Sequence, residues 1–364
     1  MARLTRVQQQ QRTHAAVLAA AHREFAEHGY AHAKIDRIAA RADLTRGSVY
    51  SNFPGKRALY LAVLVDLIER SPDPDPRRDG PPSPADAAGA FARIWLTRLP
   101  LAGDPAPDGR LRLRSLTGLL DDDHLRAALA QVVELEALLL GLALEKFGPT
   151  HRRARAARLI LTTLHGAAVL AEAAPGFGDP FDVIAACQRL ADLEIDDPRD
   201  LPHAAHVRAA RPADEPWTPP TDLDDALTDH RPDLNRDGVI TVLGAHRLGA
   251  AADAVRASGP GDRVTIVPVT GDPDETGRLV RARLADLVRC LRGSVGADPW
   301  PGLRLVLDDN KMLTGALGIT TIGDDTEVAV RIRAGRITAR ATGRGASLAA
   351  AVADPGGRRE GGTR

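Results

Sequence analysis

The stretch IDRIAARADLTRGSVYSNF, residues 35–53, decides how the chain is read. Ile35, Ile38, Ala39 and Ala42 recur at helical spacing on one face, Asp43 and Leu44 interrupt the run, and Thr45 stands where a hydroxyl can take an orphan backbone N–H at the start of a second helix. That second helix keeps only Val49 and Phe53 as large apolar residues. Arg46, Ser48, Tyr50, Ser51 and Asn52 all carry hydrogen-bonding groups, whereas a helix that merely packed would show a fuller apolar stripe. Two short helices joined by a turn of three to four residues make a helix-turn-helix, whose second helix fits a major groove.

The flanks extend the pattern. RTHAAVLAAAHREFAEHG (12–29) places Ala16, Leu18, Ala21 and Phe25 at helical spacing and stops at Gly29. Pro54 and Gly55 end the second helix of the pair, and KRALYLAVLVDLIER (56–70) opens a fourth. Residues 1–70 carry eleven Lys/Arg against six Asp/Glu, with four His besides, on a chain whose net charge is zero. A basic end on a neutral chain fits a phosphate-facing module. Only four of the 48 basic residues are Lys (34, 56, 146, 311). That lopsidedness looks like a high-GC genome, so Arg abundance alone says nothing about nucleic acid.

FAEHGY, IDRIAARADLTRGSVYSNF and GKRALYLAVL, in this order and spacing, resemble the DNA-binding domain of the TetR family of bacterial transcriptional regulators over about residues 10–65. The resemblance implies that Thr45, Arg46, Gly47 and Ser48 meet base edges at the N-terminal end of the recognition helix, Gly47 permitting close approach. It implies that Tyr50 and Lys56 grip phosphates with help from Ser51 and Asn52, contacts that position without specifying. Two departures stand out. Ala33 and Lys34 replace the usual Thr or Ser cap of the second helix, at a cost of about 1 kcal/mol that Lys34 could offset by reaching a phosphate. Asp43 replaces the customary turn Gly, and Asp tolerates the left-handed conformation.

At 364 residues the chain suggests two or three domains, and a 44% apolar share is ordinary for a folded protein. The expected fold is multidomain: an all-α TetR-like N-terminal two-thirds, with a helix-turn-helix and a helical bundle, then an α/β thioredoxin-like domain. Composition sets the boundaries at 1–70 (DNA binding), 71–83 (Pro-rich linker), 84–195 (helical ligand-binding and dimerisation domain), 196–236 (Pro/Asp-rich linker), 237–355 (thioredoxin-like) and 356–364 (disordered tail). The chain opens without a charged leader and apolar run, and no segment approaches 18 uninterrupted apolar residues, so the expectation is a cytoplasmic protein with no membrane partner. Cys187 and Cys290 show no CxxC or Cys/His spacing, which predicts neither a disulfide framework nor a metal site.

Block 84–195 shows apolar residues three and four apart in ADAAGAFARIWLTRL, GRLRLRSLTGLL, DDHLRAALAQVVELEALLLGLALEKFG, RRARAARLILTTLHGAAVLAEAA and DPFDVIAACQRLADL. It resembles a TetR regulatory domain, which implies a pocket for an unknown small-molecule effector and a homodimer through its last two helices. LILTTLHGAAVLAEA is apolar nearly all round and needs covering on both sides. A dimer would read a palindromic double-stranded operator with recognition helices roughly 34 Å apart. Trp95, Leu138 and His165 either line that pocket or belong to ordinary core.

Beyond 237 the period changes. VITVLG, RVTIVPV and LRLVLDD read as strands, AHRLGAAADAVRA and DETGRLVRARLADLVRCLR as helices, KMLTGALGI as a short helix, TEVAVRIRAGRITARAT as a hairpin turning at Ala334 and Gly335, and ASLAAAVAD as a closing helix. The order βαβαβαββα resembles the thioredoxin-like fold, including the second half of peroxiredoxin domains. That family places a reactive cysteine after the first strand. Here GAHRLGAAAD has none, Thr320 or Thr321 stands near the usual cis-proline site, and Cys290 lies too far along the second helix. DLNRDG (233–238) imitates the start of a calcium loop, but Gly244 occupies the twelfth position where a Glu is needed. The expectation is a sequence-specific regulator, a repressor released by an effector, with no cofactor and no catalysis. The alternatives are a DNA-tethered redox protein or sensor, or a scaffold binding a partner through its last domain.

Overall fold

The computed structural model describes residues 5–71, 83–97, 119–148, 152–174, 176–195, 206–228, 230–296 and 298–353. Residues 109–118 of GRLRLRSLTGLL, most of the Pro-rich linker and the tail beyond 356 lie outside the described residues. The chain divides into two compact units that are not contiguous in sequence. One comprises residues 1–130, 140–195 and 272–297; the other comprises 131–139, 196–271 and 298–364.

The first unit is helical. Helix α1 (Arg6–His32) starts at a capping box in which Thr5 accepts from the Gln8 backbone and the Gln8 side chain accepts from Thr5 N–H. It kinks at Gly29, whose φ of 67° lets the chain run on to His32. Its buried stripe is Val17, Ala20, Ala21, Glu24 and Phe25. Helix α2 (Ile35–Arg41) buries Ile38 and Ala39, Asp43 takes a left-handed φ of 54° in the turn, and α3 (Arg46–Tyr50) buries Val49. Helix α4 (Lys56–Arg70) closes a core of Phe25, Ile38, Val49, Phe53, Leu59 and Tyr60. Four more helices follow, α5 (Pro84–Leu96), α6 (Asp123–Glu145), α7 (Ala154–Ala173) and α8 (Pro180–Asp192), with residues 131–139 of α6 counted in the second unit. Helices α6 and α7 meet at Gly141, where a Cβ would stand 2.9 Å from the Ala154 backbone. By length and composition α6 could cross a membrane, but most of it is buried within the protein.

The second unit is built on one six-stranded sheet in the order β1-β6-β5-β2-β3-β4. Strand β1 (Arg211–Pro216) pairs antiparallel with β6 (Arg336–Thr342), which pairs with β5 (Glu327–Arg333); β5 runs antiparallel to β2 (Gly238–Gly244). Strands β2, β3 (Arg263–Val269) and β4 (Leu303–Leu305) are parallel. All seven residues of β2 are buried, as a central strand covered on both faces requires. Helices α9 (Ala251–Ala257) and α12 (Ala346–Val352) pack together on one face, while α11 (Met312–Ala316) contributes Leu313 to the core on the other. The β5–β6 hairpin turns at Ala334 (φ 46°) and Gly335 (φ 72°), the two positive φ values that the right-handed strand twist favours.

Three expectations change. The stretch 196–236 is not merely a linker: residues 211–216 form the edge strand, and Trp217 is buried with its Nε1 donating to Leu234 O at 2.9 Å. Local Pro content marks an edge strand as readily as a spacer, because prolines leave an unpaired edge without donors. Second, α10 (Arg278–Val295), read as the second helix of the thioredoxin-like domain, belongs with the helical unit and packs against α4 and α5. Third, LRLVLDD keeps only three residues as strand, because the buried Asp308 turns the chain and accepts from Leu313 N–H, Thr314 N–H and the Thr314 hydroxyl to cap α11. The DLNRDG carboxylates serve turns: Asp237 accepts from Ala334 N–H at 2.8 Å, a bond that holds its carboxyl below the usual range, and Asp233 accepts from Asn235 N–H.

Candidate nucleic-acid interface

Thr45 caps α3, its Oγ1 accepting from Ser48 N–H at 3.2 Å and lying 2.9 Å from the Ser48 hydroxyl. Gly47 is open: a Cβ there would meet only Thr45 Oγ1, at 3.8 Å. Arg46 projects into solvent, 60% exposed, with Asp36 at 3.5 Å, the Tyr50 hydroxyl at 3.4 Å and its guanidinium 5.5 Å from the Tyr50 ring. The Tyr50 hydroxyl and then Asp36 hold its pKa above the ordinary value, so it presents a charge at any physiological pH. Tyr50 is itself 41% exposed. The sequence-predicted residues Thr45, Arg46, Gly47, Ser48 and Tyr50 thus share one short helix whose apolar side, Val49 and then Phe53, is buried.

Other predicted contacts are differently employed. The Ser51 hydroxyl and the Asn52 amide both donate to Ser48 O, at 2.9 and 2.8 Å, tightening the end of α3. Lys56 donates to Ala31 O at 3.1 Å with its ammonium 4.8 Å from the Tyr30 ring. Burial lowers its pKa, and Glu24 opposes that shift. To reach a phosphate Lys56 must leave Ala31. Lys34 is exposed, but its role as compensation for the missing cap needs correcting, because the compensation comes from Glu24.

Glu24 is fully buried. Its Oε1 accepts from Lys34 N–H at 3.0 Å and from Arg37 Nε at 2.6 Å, and its Oε2 lies 3.4 Å from Arg41 Nε. One carboxylate therefore satisfies an orphan donor at the start of α2 and pairs with two α2 arginines, fixing α2 against α1. The available signal was a charged residue inside an apolar stripe: 17, 20, 21, 24 and 25 fall on one helical face. Glu24→Ala is expected to lower stability by about 2 kcal/mol by leaving the Lys34 N–H without its acceptor. Glu24→Gln, which keeps an acceptor there, should cost clearly less. Equal shifts of the urea midpoint would remove the capping role.

His14 on α1 was also missed, since a lone His carries no pattern. Its ring lies 4.7 Å from that of Phe53. Burial, then the positive charge of Arg278, lowers its pKa, with Asp66 opposing. The folded state thus disfavours a proton that the unfolded chain accepts near 6.5. Stability is complete above that pH and declines as pH falls through it. In denaturation between about pH 7 and pH 5, His14→Gln should lose less stability than the parent protein; equal losses would exclude His14 as the source.

Among the ligand candidates, Trp95 and His165 come together, ring centroids 5.8 Å apart and edge-on, with Arg283 of α10 2.8 Å from His165 Nε2. Leu138 is buried but belongs to the other unit. Just after β2, Arg247 pairs with Glu327 at 2.6 Å, and Glu327 also accepts from Gly345 and Ser347 N–H ahead of and within α12. Both cysteines are buried, and burial pushes the Cys187 thiol up to about 12.

Residues 17–63 match the family model of bacterial regulatory proteins, tetR family. A solved structure of a Streptomyces coelicolor protein named as a transcriptional regulator is 25% identical, covering 50% of this chain and 96% of its own, with a TM-score of 0.28. At that score the superposition carries no argument of its own. No curated protein matches the chain.

Proposed function

We propose, from the premise that residues 17–63 form a TetR-type DNA-binding domain, that this DNA-binding regulator is a cytoplasmic homodimeric repressor released when a small molecule binds its helical bundle. The observation that carries the DNA-binding reading is the exposed polar face of α3. Thr45, Arg46, Gly47 and Ser48 crowd its N-terminal end, as a helix entering a major groove requires. Support for a dimer comes from α7 and α8. Ile160, Leu161 and Leu164 bury one side of α7, while Leu159, Val169 and Leu170, with Phe177 and Phe181 beyond, remain exposed. An apolar face of this size calls for a second copy. Release requires the effector to favour one arrangement over the other by a coupling of roughly 1–3 kcal/mol. Saturating effector that leaves operator affinity unchanged would remove this mechanism.

The sheet unit is read as a thioredoxin-like domain that has exchanged catalysis for a structural or sensing role. The arrangement β6-β5-β2-β3, with β2 and β3 parallel and β5 alone running antiparallel to its neighbours β2 and β6, supports that reading. Arg247 and Glu327 sitting in the reactive position support the absence of an enzyme activity.

Arg46 and Lys56 test the interface. Arg46→Ala is expected to cut discrimination between the preferred half-site and single-base variants by about ten- to a hundredfold. Lys56→Ala should weaken all sequences alike and flatten the slope of log affinity against log salt by about one unit. Fluorescence anisotropy on a duplex selected from a random library reads both, and identical effects from the two variants would contradict the assigned roles.

A further inference from the structure

Helices α4 and α5 make little direct contact, whereas α10 packs against both. The turn at 273–277 and α10 follow α4 along its length. Glu275 accepts from Arg57 Nε at 2.5 Å, Arg278 donates to Ala58 O at 3.1 Å, Arg281 pairs with Glu69 at 3.0 Å, and Arg289 donates to Ser71 O. Leu279 is buried with Leu61 of α4 and Leu125 of α6. The Arg278 guanidinium also lies 5.5 Å from the ring of Phe53, the buried residue that ends the α3 turn. Backbone bonds and buried contact spread over four turns make this a fixed seat, unlike an isolated surface ion pair.

We infer that residues 272–297 position the DNA-reading helix, with Glu275 and Arg278 as positioning residues that hold α4, and through Phe53 α3, at a set angle to the bundle. The inference rests on the reading of α3 as the DNA-contacting helix. Its consequence is specific. In a dimer, the angle of α4 to the bundle sets the separation of the two recognition helices, and hence which half-site spacing is accepted. Losing the seat should relax spacing preference while leaving base preference within each half-site intact.

The test uses the full-length protein and Glu275→Ala/Arg278→Ala. The first readout needs no DNA: amide hydrogen exchange of the peptides covering 53–70 should rise about tenfold or more in the variant, with α7 and α8 unchanged. The second uses a duplex selected by the parent protein from a random library and the same duplex with one base pair inserted between half-sites. The parent should lose about tenfold or more in affinity on insertion and the variant less than about threefold. Unchanged exchange across 53–70, or an unchanged insertion penalty, overturns the inference. If the parent selects no duplex, the DNA-binding reading fails while the exchange result still decides whether the seat exists. Should the double variant not fold, Glu275→Gln, equal in shape but uncharged, is held to the same two readouts with smaller changes of the same sign.

Discussion

Phe53→Ala is expected to lower stability by about 3–5 kcal/mol, the cost of emptying a large aromatic site in a packed core, and to abolish selective DNA binding at physiological temperature. Phe53 is 1% exposed and joins three pieces of chain: the His14 ring on α1 at 4.7 Å, the Arg278 guanidinium on α10 at 5.5 Å, and its own N–H donating to Val49 O at the end of α3. Removing the ring therefore leaves a cavity and uncouples α3 from both neighbours. Phe53→Leu keeps most of the volume and should cost about 1–1.5 kcal/mol. Urea denaturation followed by anisotropy at matched folded fraction separates stability from recognition. If the Ala and Leu variants were equally stable, the packing argument would be wrong.

A comparable loss, about 3–5 kcal/mol, is expected from Asp262→Ala in the sheet unit, because it strands a buried cation. Arg331 and Asp262 are only 4% and 3% exposed, their 2.7 Å contact is reinforced by Arg333 at 2.9 Å, and Gly259 N–H donates to the same carboxylate. Arg331 has little else, a 3.4 Å contact to Ala351 O at the end of α12 and an Nε with no partner among the described residues. The pair is weak support for stability in itself: the attraction largely offsets the desolvation of two charges. Accordingly the double change Asp262→Leu/Arg331→Met should recover most of the loss. A double variant as unstable as Asp262→Ala would mean that the pair stabilises the sheet in its own right.

The helix-turn-helix was legible because its determinants are local. Thr45 caps the helix it precedes, Asp43 adopts the left-handed turn, and the 3.6-residue period of Ile35, Ile38, Ala39 and Ala42 orients α2. Strand β3 was legible for a similar reason, since RVTIVPV is a β-branched run bounded by turn residues and coincides with it. What misled was assuming that neighbours in sequence stay neighbours in space. Helix α10 is amphipathic wherever it docks, and its period names a buried face without naming the surface that buries it.

Local chemistry alone therefore determined a polar-faced recognition helix on a basic N-terminal end, a bundle of apolar helices, and an α/β region without a reactive cysteine after its first strand. Only the tertiary structure decided that Glu24 caps α2 from another helix, that residues 211–216 close the sheet edge, and that α10 seats α4. The reason is physical. Caps, turns and periodicity are set by bonds spanning a few residues, whereas a contact across some 220 positions depends on which surfaces remain uncovered after every local element has formed.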